Sequence, residues 1–72
     1  MADIKFELVK HFGILSVAES NWKKELNLVS WNGRGPKFDV RDWAPSHERM
    51  GKGITLTKEE AAKLAELLMA HA

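Results

Sequence analysis

The sequence contains no cysteine. That removes disulfides, thiolate nucleophiles and thiolate metal ligands together, and it fits a reducing compartment. Three histidines remain, His11, His47 and His71, scattered without the spacing of a zinc site. No basic stretch leading into an apolar run opens the chain, so a signal peptide is not expected. Long apolar runs are missing too. The longest mostly apolar stretch, 61–72, is interrupted by Lys63, Glu66 and His71 and is too short to span a bilayer. A soluble, cytoplasmic protein without a membrane partner is the expectation.

Catalytic signatures are absent as well. Gly51-Lys52-Gly53 has the look of a phosphate loop, but a Walker motif needs Ser or Thr after the lysine and a glycine at the head of the loop. Gly53 and Ser46 occupy those positions. Gly33-Arg34-Gly35 lacks the third glycine of a dinucleotide fingerprint, since Phe38 stands there. Ser30, Ser46 and His47 form no nucleophile elbow. Asp39, Asp42 and Glu48 read as solvated carboxylates. A non-enzymatic protein with no cofactor and no metal is expected.

At 72 residues the chain holds one domain, 1–72, of marginal stability on its own. With disulfides and metals set aside, oligomerisation is the remaining support. The net charge of +1 argues for nothing, but its distribution does. Residues 22–53 carry seven cations against four carboxylates, while the segments on either side are each slightly acidic. The same middle segment holds all three tryptophans, Trp22, Trp31 and Trp43.

The first two-thirds of the chain read as β-structure. Ile4 to Leu8 alternates apolar and polar residues, His11-Phe12-Gly13 interrupts, and Ile14 to Val17 resumes. Trp22 to Asn32 is a longer strand, with Trp22, Lys24, Leu26, Leu28 and Ser30 on one face and Lys23, Glu25, Asn27, Val29 and Trp31 on the other. Asn32-Gly33 is a preferred hairpin dipeptide. Lys37 to Trp43 alternates strictly, placing Phe38 and Val40 inward and Lys37, Asp39, Arg41 and Trp43 outward. Ala44 to Arg49 is a polar loop, and Ile54 to Leu56 a short strand. A helix follows. Thr57 with Glu60 forms a capping box, and Ala61, Leu64, Ala65 and Leu68, widened by Leu67, make one apolar stripe. The fold class is α+β, in the order ββββα, with the helix against an antiparallel sheet. Ala61, Ala62, Ala65 and Ala70 permit close approach of the same helix from a second copy, hence a homodimer through the C-terminal helix.

Cations and aromatics that share strand faces are what single-stranded nucleic acid requires. Cations neutralise phosphates, and flat rings stack on exposed bases for about 1–3 kcal/mol each. The candidate nucleic-acid-binding residues are Lys23, Lys24, Trp31, Lys37, Arg41, Trp43 and Lys52, with Trp22 as a further stacking candidate. The residues also admit plainer readings. Each tryptophan can be core, Arg41 can pair with Asp39, and the aromatic face can grip a protein or RNA instead of DNA.

Phe38-Asp39-Val40-Arg41-Asp42-Trp43 and Gly51-Lys52-Gly53-Ile54-Thr55-Leu56 resemble the positive cofactor 4 family of transcriptional coactivators. Trp22 to Asn27, Val29 to Asn32 and Met50 to Leu56 are similar to its small bacterial YdbC-type members. The resemblance implies a four-stranded curved antiparallel sheet, a C-terminal helix, a dimer through the helices and single-stranded DNA held across the strands. It assigns Arg41, Trp43 and Lys52 to the family's DNA-contacting positions, although the family has one more residue between the arginine and the tryptophan. It also implies little sequence preference and a part in transcription regulation, replication or repair.

Overall fold

The computed structural model describes residues 5–72, so Ile4, expected in the first strand, lies outside the described residues. Four strands follow one another as an antiparallel meander. They are β1 (Phe6–Val17), β2 (Lys23–Trp31), β3 (Lys37–Trp43) and β4 (Met50–Leu56), and helix α1 (Lys58–His71) closes the chain. The expected order ββββα is borne out.

The β2–β3 connection follows from its sequence. Asn32 and Gly33 both take positive φ, 53° and 75°, and the Arg34 N–H donates to the Trp31 carbonyl at 3.0 Å. This is the turn whose twist matches paired strands. The start of α1 is equally local. Thr57 Oγ1 accepts from the Glu60 N–H at 3.1 Å, and a Glu60 carboxylate oxygen accepts from the Thr57 N–H at 2.9 Å.

β1 departs from expectation. Instead of breaking at His11-Phe12-Gly13, it runs unbroken for 12 residues against the nine of β2. The surplus is absorbed at three register shifts, between Leu8 and Lys10, His11 and Gly13, and Ile14 and Ser16. Val9, Phe12 and Leu15 are the extra residues, spaced evenly along the strand. Each bulge bends its strand and tightens the local twist, so three in succession coil the edge of the sheet.

The coiling decides where the interior lies. Trp31 pairs with Phe6 at one end of β2, and Lys23 pairs with Trp43 at the other. On a flat sheet those ends stand about 26 Å apart. Yet the Phe6 ring is 6.1 Å from that of Trp31 and 5.2 Å from that of Trp43. The sheet has curled until one face closes on itself. The residues sealed inside are Val29 and Trp43, together with Glu25, Asn27 and Asp39. The alternation read from the sequence is therefore right, but its direction in β3 is reversed. Asp39 and Trp43, expected outward, are buried, while Phe38 and Val40, expected inward, are half-buried.

α1 lies on the opposite face, where Ala61, Leu64, Ala65 and Leu68 border a shallow apolar groove with Leu26, Phe38 and Leu56. None of its residues is buried, and Leu67, Leu68 and Met69 are exposed.

Candidate nucleic-acid interface

The curled face is built in two layers, with acidic and amide groups beneath cations and rings. Register places the first cluster. Asp39 and Arg41 are alternate residues of β3, so they share a face, and β4 sets Thr55 opposite Asp39 and Gly53 opposite Arg41. The Asp39 carboxylate is wholly buried and accepts three strong bonds. Arg41 Nε donates at 3.0 Å, Arg41 Nη2 at 3.1 Å and Thr55 Oγ1 at 2.9 Å. Arg41 Nη1 donates to the Gly51 carbonyl at 3.0 Å. The guanidinium carbon stands 5.1 Å from the centroid of the Trp31 ring, within range of a cation–π contact.

The second cluster surrounds Glu25, which is 1% exposed. Asn27 Nδ2 donates to it at 3.1 Å and His47 Nε2 at 2.9 Å. His11 Nδ1 lies 2.7 Å from Asn27 Oδ1 and 3.5 Å from the Glu25 carboxylate. A carboxylate only accepts, so His47 carries its proton on Nε2. His47 reaches this position from a left-handed backbone, φ 61°, secured by its N–H donating to the Ala44 carbonyl at 2.9 Å. Burial pushes the Glu25 carboxyl up, but the bonds from Asn27 and His47 and the two imidazoles outweigh it and hold it below its ordinary value.

A stability prediction follows from that direction. The folded protein holds the Glu25 proton less tightly than the unfolded chain does. Its contribution is therefore present above the ordinary value of 4.5 and disappears as pH falls through the lowered one. The melting temperature should fall on acidification from pH 5 to pH 3, and Glu25→Gln should flatten that slope. An unchanged slope in the variant would remove Glu25 from the account.

The residues expected to bind nucleic acid divide between two faces. Lys23, Trp31, Lys37 and Arg41 share the curled face. Trp43 does not join them as a platform. It is 0% exposed, its ring against those of Phe6 and His47, which makes it core. The short spacing from Arg41 explains this, because two residues on in a strand return to the same face, here at its sealed end. Lys24 and Lys52 stand on the other face, lining an open groove with Val40, Asp42, Gly53 and Ile54. Trp22 is half-buried on that side and lies against Gly51. The indole N–H groups of Trp31 and Trp43 have no hydrogen-bond partner among the described residues.

Sequence reasoning missed Glu25, Asn27, Thr55, His11, His47 and Phe6. A signal existed for Glu25 and Asn27, which alternate with Val29 and Trp31 on one strand face. None existed for His11, which the bulged β1–β2 register sets opposite Asn27, or for His47, which reaches the same carboxylate from the loop after β3.

A family model described as Transcriptional Coactivator p15 (PC4) matches residues 18–67. A protein of Treponema pallidum (strain Nichols), described as uncharacterized, is 44% identical over 66 residues, 92% of this chain and 78% of that protein. The family match spans β2, β3 and β4, and with them both buried carboxylates; Phe6 and His11 of β1 fall outside it.

Proposed function

The chain belongs to the family of the transcriptional coactivator p15 (PC4), and on that premise we propose that it binds single-stranded DNA across the curled face with little sequence preference. The family supports a nucleic-acid-binding, coactivator-like role. The observation that carries the finer reading is the Arg41 guanidinium fixed over the Trp31 ring, on a face shared with Lys23 and Lys37. Phosphates would meet the cations, and bases would meet the rings. A duplex reader needs a helix for the major groove, whereas α1 combines an apolar stripe with Glu59, Glu60 and Glu66. Lys24 and Lys52 enter as part of the surrounding field rather than as contacts on the same path.

We further propose that two copies pair through α1. Leu67, Leu68 and Met69 are 47%, 55% and 86% exposed, and Ile54 adds to the same apolar side. A chain this small cannot leave so much apolar area exposed to water without cost. The protein is then a cytoplasmic binding protein, not an enzyme, with a part in transcription, replication or repair.

The test is a fluorescence-anisotropy titration with labelled oligo-dT, the matching RNA and the matching duplex at two salt concentrations, with sedimentation velocity on the same sample. The expected result is a dimer that prefers the single strand. If Lys23, Lys37 and Arg41 each meet a phosphate, log affinity should fall with log salt at a slope of roughly −2 per subunit. Stronger binding to the RNA would make RNA the ligand. No binding at low salt would overturn the reading in favour of a protein-interaction module.

A further inference from the structure

We propose that Asp39 is a positioning residue for nucleic-acid binding, one that fixes the Arg41 guanidinium in its binding orientation before the ligand arrives. The assignment rests on the function proposed above and adds to it a residue of the wrong charge. A carboxylate near a phosphate path repels the ligand, so a surface built only to attract phosphate has no use for one under its arginine. Asp39 nevertheless sits there at 0% exposure, and both of its oxygens are engaged.

The geometry gives the reason. An arginine on an open strand samples many rotamers, and binding must quench that freedom. Here Asp39 takes the Nε and Nη2 edge of the fork, and Gly51 takes one N–H of Nη1. Of the five N–H donors of a guanidinium, one on each terminal nitrogen is left over. Trp31 backs the guanidinium, its ring centroid 5.1 Å from the guanidinium carbon. Asp39 is itself held by Thr55, directly opposite on β4. Trp31 from β2, Asp39 from β3 and Thr55 from β4 therefore all determine where those two donors point. The Arg41 side chain is 17% exposed, so it meets solvent through a small remaining part.

The sign of the effect distinguishes positioning from charge. Electrostatics alone has Asp39→Asn binding oligo-dT more tightly, because a negative charge is lost. Positioning has it binding about tenfold more weakly, since the amide turns an N–H towards a donor and frees the fork. Thr55→Val, which leaves every charge in place, should weaken binding about two- to threefold by releasing Asp39.

The experiment is a titration of labelled oligo-dT at one salt concentration with the unmodified protein, Asp39→Asn, Thr55→Val, Arg41→Lys and the double variant Asp39→Asn/Arg41→Lys, each checked for folding by circular dichroism. In the Arg41→Lys background the fork is already gone, so adding Asp39→Asn should cost less than about threefold. Binding by Asp39→Asn that is unchanged or tighter overturns the proposal. An undiminished tenfold loss in the Arg41→Lys background also overturns it, since Asp39 would then act without Arg41. If Asp39→Asn does not fold, Thr55→Val decides, and unchanged binding there is fatal. Failure of the unmodified protein to bind at all is a separate result that removes the proposed function and this assignment with it.

Discussion

Replacing Gly53 by alanine should cost about 3 kcal/mol of stability and lower the melting temperature by roughly 15–20 °C. The glycine does not serve a special backbone angle, because Gly33 is the glycine that takes positive φ. The requirement is space. A Cβ at Gly53 would lie 2.4 Å from the Val40 carbonyl oxygen, 2.6 Å from Arg41 Cβ and 2.7 Å from Arg41 Cα. Two of those three atoms are backbone of the paired strand β3, which cannot move aside without parting from β4. The strand opposite Gly53 also carries Arg41, so whatever stability survives should come with weaker nucleic-acid binding. Gly51 supplies the control. A Cβ there would lie 3.3 Å from Asp42 Cβ, 3.5 Å from the Trp22 ring and 3.8 Å from the Asp42 carbonyl oxygen, so the neighbours need give by only a few tenths of an ångström. Gly51→Ala should cost less than about 1 kcal/mol. Thermal unfolding of both variants at one protein concentration checks the pair. A Gly53→Ala protein that melts within a few degrees of the unmodified one would mean that β3 and β4 are less closely held than described.

Arg41→Ala should be damaging in two separable ways. From the sequence it is expected to weaken binding and leave the domain folded. The structure adds a stability cost to that expectation. Arg41 is paired with a carboxylate at 0% exposure, and removing one partner of a buried pair costs about 3–5 kcal/mol. The guanidinium retains some contact with water, which places the expected loss at the lower end, about 3 kcal/mol. Binding to oligo-dT should fall about a hundredfold on the folded fraction, because a charge, a fork of donors and the cover of Trp31 are lost together. Adding Asp39→Asn to Arg41→Ala removes the stranded charge. The double variant should regain much of the stability and none of the binding. Chemical denaturation and anisotropy on the same samples read the two effects independently. An Arg41→Ala protein as stable as the unmodified one would show that Asp39 does not need its partner.

Several elements were legible in the sequence because their causes are local. The capping box that starts α1 needs only Thr57 and Glu60, and the β2–β3 turn needs only Asn32 and Gly33. The alternation along β2 and β3 grouped their residues into the correct two faces, though not which face is the interior, since side-chain direction in a strand depends on position alone. Four residues of the stripe read on α1, Ala61, Leu64, Ala65 and Leu68, border the groove, while Leu67 does not. Four strands, one helix and membership of a family were thus available before any coordinates.

Which side of the sheet became the interior was not available. A face carrying Glu25, Asn27, Asp39 and Arg41 has the composition of a solvated surface, and a pattern of period two reports only that the faces differ. The surplus residues Val9, Phe12 and Leu15 curl β1 over β2, carrying Phe6 towards Trp43, and set the register that pairs His11 with Asn27. That closure turned Trp43 from a stacking platform into core and Asp39 from a solvated acid into the buried partner of Arg41, while strand alternation alone sets Lys24 on the face opposite Arg41. Sequence by itself determined the elements, their order and the sidedness of their residues, because these depend on neighbours along the chain. Only the tertiary structure decided which side is buried and which histidines meet Glu25, because those depend on strands and loops brought together from distant parts of the chain.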